Sequence, residues 1–368
     1  IELVAFNAPR LDYTNASCPS ILVEPLRTNS VLYSEEFSNA SWIKTNTTVT
    51  ADTTTAPDGT TTADTITGIG ALGARLIQSN SISFTASTSY SLSVFAKKGT
   101  NDFIQLFVPL GIGGMFANFN INTGVVGTLG TVTGTAPTSS ITNYGNGWYR
   151  CTINFTATTT TSTVTSIGIV TSASAIRSET NTLTTSLILW GAQMEAGSNA
   201  TSYIPTTTLI AGVTRLADVI SKTGITNLIG QTEGTLFVDF NFTQNVNTSR
   251  LIAIGDGTTN NRAFISLNAN TIEVFIRNAS AIQYSVSSST ILTGRYKVAV
   301  RYKQNDFGFY INGVPINTSN SGNLPINLNN FYLASFEIGG SANAIQSINS
   351  AQIYKTALTD AQCISLTT

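Results

Sequence analysis

The chain is built of short runs in which apolar and polar residues alternate. Tyr90, Leu92 and Val94 interleave with Ser89, Ser91 and Ser93, and Tyr149, Cys151, Ile153 and Phe155 interleave with Arg150, Thr152 and Asn154. A side-chain period of two marks a strand with one face in a core; at this density it predicts antiparallel sheets with one wet face. The same grammar predicts strands at Ser81–Phe84, Phe103–Val108, Phe116–Asn120, Val164–Val170 and Leu187–Met194. Asn122-Thr123-Gly124, Asn146-Gly147 and Pro57-Asp58-Gly59 fall between runs as turn chemistry. Earlier in the chain, Val31, Tyr33 and Phe37 predict a strand over Ser30–Phe37, followed by a turn at Trp42 and a threonine-rich stretch.

From Glu233 the alternation resumes with a different core. Leu236, Val238, Phe240 and Phe242 share one face, Tyr296, Val298, Val300 and Tyr302 another, and Phe307, Phe309 and Ile311 lead into an Asn312-Gly313 hairpin turn. Near the end Ser350–Tyr354 reads as a strand. Thr359 then caps a short helix, with Gln362 placed for a capping box and Leu358 and Cys363 as its staple. Between the two halves, Ile204–Gly230 loses the alternation. The predicted organisation is an N-terminal arm (1–28), which is an extended arm or a pair of edge strands, a first sandwich (29–207), a linker (208–232) and a second sandwich (233–368). The fold class is all-β: two tandem antiparallel β-sandwiches of jelly-roll type.

Composition narrows the chemistry. Charged residues are 10% of 368, against roughly 25% in an average soluble domain, and 18 basic residues face 19 acidic ones. A surface so close to neutral has no long-range field to attract nucleic acid, and its hydroxyls and amides suit packing in an assembly. There are 0 histidines, which excludes Ser-His-Asp, Cys-His and histidine-zinc mechanisms. Cys18, Cys151 and Cys363 are odd in number and far apart, so buried thiols are expected rather than a disulfide framework. No apolar run reaches the roughly 20 residues of a membrane helix, so no membrane insertion is expected. The chain opens at Ile1 without a signal-peptide pattern, and further residues upstream are expected.

Particular wording adds a resemblance. "RTN", "YSEEF", "NASW" and "APDGTTTAD" within Arg27–Asp64, together with "NGWYR" at Asn146–Arg150, "SYIPT" at Ser202–Thr206 and "VTR-x-AD" at Val213–Asp218, resemble the β-sandwich module of tailed-phage fibre and spike proteins. The lead-in "N-x-PR-x-DY…CPS" resembles the same family. "GTLFVDF", "YKVAVRY", "FGFYINGVPI" and "AQIYKTALTDAQ" resemble a laminin-G-like or concanavalin A-like sandwich over nearly all of 233–368. The resemblance implies a virion structural protein, synthesised in the host cytoplasm. It would be a tail-fibre, spike or head-fibre component whose partners are other virion proteins, further copies of itself (a trimer favoured) and host-surface polysaccharide.

Three chemistries follow as candidates. Glycan binding needs an aromatic face for C–H stacking and directed hydrogen bonds. Trp148 and Arg150, on the face opposite Tyr149, with Tyr144 in the preceding turn, make such a platform; the competing reading packs Trp148 into a sandwich edge. Trp42 and Trp190 are expected in the core. No cofactor is required, but jelly-roll modules often hold structural calcium through carboxylates. Glu36, Asp58 and Asp64, with Glu35 beside them, are the candidate ligands in the first sandwich, and Asp256 in the second. The late acidic pair of sugar-binding jelly rolls is replaced here by Trp190-Gly191. A depolymerase would need two carboxylates flanking a bond, and no strand of the second sandwich carries two at alternate positions, so no enzymatic activity is expected.

Overall fold

A computed structural model of the chain describes residues 10–12, 19–207, 212–242, 246–335 and 346–368, without the side chains of 246–248 and 346. The chain divides into two compact units, the first spanning Arg27–Arg215 and the second combining described residues of 4–26 with Leu216–Thr368. Each is an antiparallel β-sandwich, as the alternation predicts.

In the first unit one sheet runs, edge to edge, Val125–Gly130, Phe116–Asn120, Phe103–Phe107, Ser166–Ile169, Arg75–Gln78, Ile43–Thr45. The other runs Thr138–Gly145, Trp148–Thr156, Ser89–Lys98, Ser186–Ala196, Ala63–Gly68, Thr47–Thr54. Leu92, Val94, Ile153, Leu187 and Leu189 from the second sheet meet Ile104, Leu106, Phe119 and Ile167 from the first in one core. Each such side chain removed from water contributes about 1.5–3 kcal/mol before the entropy of ordering is subtracted. Trp42 lies in this core as expected, 4.8 Å from Phe37, and its Nε1 donates to the Tyr33 carbonyl.

Two expectations for this unit need correction. Ser30–Phe37 is not a strand: Tyr33 has φ 49°, and the amides of Val31, Leu32 and Ser34 donate to Asn29 Oδ1, Asn80 Oδ1 and the Thr206 carbonyl. Val31 and Phe37 are nonetheless in the core, so the apolar pattern reported burial but not extended geometry. Nor is the outer face of the second sheet wet over its central strands, Ser89–Lys98 and Ser186–Ala196. Ser91, Ser93, Gln193 and Glu195 are buried there beneath the chain near Thr201–Ile204.

In the second unit a seven-stranded sheet runs Arg10–Asp12, Ser20–Val23, Gln346–Tyr354, Glu233–Phe242, Gly294–Lys303, Asp306–Ile311, Val314–Ser319. It packs on a six-stranded sheet of Ile220–Lys222, Asn330–Leu333, Val246–Gly255, Arg262–Ala269, Thr271–Asn278 and Ala281–Ser287. The described part of the expected arm is therefore the pair of edge strands: Ile21 pairs with Ile348, and Val23 is fully buried. Arg10 holds it further through ion pairs with Glu24 and Asp218. The segment expected as a linker supplies a strand to each unit, Val213–Arg215 beside Arg27–Asn29 and Ile220–Lys222 beside Asn330–Leu333. The closing helix, Asp360–Thr367, has its capping box and covers Phe237, Ala299 and Tyr310 on the outer face of the larger sheet.

Cys151 and Cys363 are buried free thiols; Cys18 lies outside the described residues. Among the described residues no helix is long and apolar enough to cross a membrane.

Candidate functional site

The predicted platform of Tyr144, Trp148 and Arg150 lies on the outer face of the second sheet of unit 1. Antiparallel register sets Thr142, Arg150, Phe95 and Trp190 in one row across four strands. Trp148 and Arg150 do face away from Cys151, as the alternation requires, but that face is covered. Trp148 is 2% exposed and donates its Nε1 to the Thr55 carbonyl at 3.1 Å; Arg150, 7% exposed, donates to Ser93 Oγ and to the Thr201 carbonyl. Both side chains bind the covering segments, so neither presents a surface to a sugar. Trp190 is buried as expected, yet on the outer face beside Phe95 rather than between the sheets.

Two irregularities shape what remains open. The pairing of Ser186–Ala196 with its neighbour shifts between Trp190 and Gln193, where Gly191 takes φ 63°. This bulge lets Trp190 and Gln193, three residues apart, both point outward. The second shift falls between Asn143 and Gly145, so Tyr144 is the extra residue of a bulged strand, not part of the turn. The turn itself is Asn146-Gly147, both at positive φ. Tyr144 is thereby turned onto Phe95, edge to face at 4.9 Å, while remaining 42% exposed.

Around Phe95 the rings continue to Trp190 and Tyr203, whose centroids lie 4.6 Å apart. Tyr203 donates its hydroxyl to Glu35 Oε1 at 3.0 Å and contacts Ser34 Oγ at 2.5 Å. Burial raises the Glu35 pKa above the usual carboxylate range; the Tyr203 bond opposes this, and the charges of Asp58 and Glu36 add to it. Burial likewise holds the Tyr203 hydroxyl well above its ordinary value, and Glu35 adds to the shift. The corner thus carries, around buried Phe95, the exposed Tyr144 ring on one contact and Tyr203 with the half-buried Glu35 carboxylate on another, while Thr62 Oγ1 accepts from Trp190 Nε1 and lies 2.7 Å from Thr60 Oγ1. Such a set can stack on one face of a sugar and accept hydrogen bonds from its hydroxyls. Sequence reasoning missed Tyr203, although it stands inside "SYIPT", and saw Glu35 only as a metal ligand.

The carboxylates proposed for calcium do not assemble. Asp64 is buried and accepts from the amides of Asp52 and Ser38 at 3.0 and 3.2 Å, so both its oxygens organise backbone. Asp58 accepts from the amide and hydroxyl of Thr60, closing a local turn, and Glu36 is exposed. Asp256, in the other unit, does the same with Thr258 and also accepts from Asn261 Nδ2; burial pushes its pKa up, but these bonds outweigh it and the net shift is downward. Among the described residues no group of three acidic, cysteine or histidine side chains is gathered closely enough to hold a metal ion. The residues do not fit the ion.

The acids of the second sandwich are engaged one by one. Asp239 is bidentate with Arg295, Asp306 and Asp360 share Arg301, Glu233 pairs with Lys303, and Glu273 accepts from Asn268. Glu337 lies outside the described residues.

No family model and no curated protein matches the sequence. Solved structures do align with part of it. The CBM40 module of the Ruminococcus gnavus IT-sialidase, bound to α2,3-sialyllactose, aligns at 20% identity over 38% of this chain and 83% of its own, with a TM-score of 0.34. The leech intramolecular trans-sialidase aligns at 18% over 38% of this chain and 23% of its own, TM-score 0.33. Botulinum neurotoxin type C, in a structure concerned with two ganglioside molecules, aligns at 15% over 39% and 36%, TM-score 0.32. At these scores the alignments carry no argument about what this chain binds.

Proposed function

We propose that this chain is a non-enzymatic adhesion protein of a tailed-bacteriophage virion, a component of a tail fibre, spike or head fibre that holds host-surface glycan. The observation that carries the reading is the corner of unit 1, where a bulge holds the Tyr144 ring exposed on the same aromatic cluster as Tyr203 and Glu35. The absence of histidine and the engagement of each described acid of the second sandwich in a pair or hydrogen bond support a binding role over a depolymerase. One exposed ring gives a shallow site. Several copies, a trimer being the favoured assembly, would raise avidity by roughly 10² to 10⁴ without a new contact.

The test is a glycan array probed with the purified protein and with Tyr144→Ala and Glu35→Gln. Neutral glycan spots that fade in both variants, each of which still unfolds in a cooperative transition, are the expected result; spots indifferent to both would reject the corner as the site. A second reading, a decoration or scaffold element that binds no glycan, is favoured by the way Trp148 and Arg150 are used to anchor backbone. It predicts a silent array and a corner covered by neighbouring subunits in the assembled particle.

A further inference from the structure

An edge strand offers unpaired amides and carbonyls to any strand that reaches it, and folded proteins guard such edges with charges, proline, bulges or extreme shortness. Most described edges here are guarded in one of these ways. Thr47–Thr54 carries Asp52 and loses register after Thr50, and Val125–Gly130 loses it between Val126 and Leu129. In unit 2 Val314–Ser319 contains Pro315, and Ala281–Ser287 loses register between Ile282 and Tyr284. Apart from Thr138–Gly145, the remaining described edges are strands of three residues, such as Ile43–Thr45 and Ile220–Lys222.

Thr138–Gly145 is the exception. It ends its sheet, and from Thr138 to Asn143 it pairs with Asn154 to Tyr149 without a break. This stretch contains no charge and no proline. Every second residue of an antiparallel edge turns its amide and carbonyl outward, and no other described segment bonds to this backbone. Thr138, Ser140 and Thr142 are exposed. The neutrality reaches well beyond the strand: between Asp102 and Arg150 the chain has no Asp, Glu, Lys or Arg, although 10% of its residues are charged, and Arg150 itself is buried.

We infer that Thr138–Asn143 pairs with the same strand of a second copy of this chain, antiparallel about a two-fold axis, so that the two sheets become one. The missing charge selects the occupant. A two-fold contact sets the position on the axis against its own mate, so a charge there would face its like. A strand from a different protein could carry the opposite charge, and an edge made for it would have no need to be neutral. Side chains directly opposite in an antiparallel pair share a face, which admits Ser140 against its own mate and Thr138 against Thr142, hydroxyl to hydroxyl. Being isologous, the contact closes on two copies; the favoured trimer would use other surfaces, and the two contacts together would double it. Tyr144 follows the strand directly, so the pair sets two exposed rings on one side of the joined sheet, roughly 27 Å apart at about 3.4 Å per residue. Only this last consequence rests on the corner's being a glycan site; the seam itself does not.

Sedimentation equilibrium of the whole chain, from roughly 1 to 100 μM and without glycan, tests the seam. Wild type should associate into even-numbered assemblies. Ser140→Lys and Ser140→Glu should each weaken that association at least about tenfold, because each meets its like, and an equimolar mixture of the two should recover it. Ala51→Lys, exposed on the opposite edge strand of the same sheet, should stay within about twofold. A wild type that is monomeric throughout, a trimer indifferent to Ser140→Lys, an equal loss in Ala51→Lys, or weakened variants that mixing fails to rescue would overturn the inference. If either variant does not fold, hydrogen exchange in wild type decides: protection of the Thr138–Asn143 amides should rise with protein concentration, and protection independent of it overturns the seam. A silent glycan array leaves these readings untouched, and a failed seam leaves the Tyr144 corner as it was.

Discussion

Arg75 is 1% exposed and makes its contacts with backbone rather than with a carboxylate. Its guanidinium donates to the carbonyls of Leu183 at 2.6 Å and Gly73 at 2.8 Å, and to those of Asn181 and Ala71. One side chain thus ties together two loops that otherwise pair at the Gly73–Asn181 bridge. Arg75→Met keeps the stem but strands the Leu183 and Ala71 carbonyls, so unit 1 should lose at least about 2 kcal/mol, read from the midpoint of chemical denaturation. Trp148 and Arg150 teach the same lesson in reverse. Alternation with Tyr149 and Cys151 correctly put them on the face away from the core, but strand periodicity says nothing about what lies above that face. The partners that bury them, Thr55 and Thr201, are 93 and 51 residues away.

Among the elements, the strands with a polar alternate face were readable in advance, and so were the Asn146-Gly147 and Asn312-Gly313 turns, where both residues adopt positive φ. The bulges were not. A bulge changes which face a residue points to without altering composition, and it is this that turned Tyr144 into a surface ring and set Trp190 beside Phe95. The closing helix was legible to the residue because its cap is local: Thr359 Oγ1 accepts from the Gln362 amide and Gln362 Oε1 from the Thr359 amide. Thr359→Ala should cost unit 2 about 1 kcal/mol. If denaturant midpoints of wild type and variant coincide, the box contributes nothing.

Over the whole molecule the two units carry carboxylates of opposite habit. In unit 1 burial raises the pKa values of Glu35 and Asp64 above their ordinary 4.5 and 3.8. A raised carboxyl favours the folded state when protonated, so its contribution is complete below those values and is lost as pH rises through the folded pKa. In unit 2 Asp360 is held down by Tyr310 and Arg301, and Asp239, although burial pushes it up, is held down on balance by Arg295 and Asn349. Their contribution is present above 3.8 and lost as pH falls through the lowered values. Calorimetry from about pH 7 to about pH 3 should therefore show unit 1 gaining stability as the solution is acidified and unit 2 losing it below the ordinary aspartate range. Glu35→Gln should reduce the rise in unit 1; a rise unchanged in that variant would remove Glu35 from the account.

By itself the sequence determined the all-β class, most of the strands, the tight turns and the helix cap, because each is written in the spacing of a few neighbouring residues. Tertiary structure alone decided that the first residues of the described chain join the last strands in one sheet. It also decided that distant segments roof the outer face of unit 1. Those are pairings between strands and segments whose register depends on the packing of the complete core, and no local window of residues contains that information.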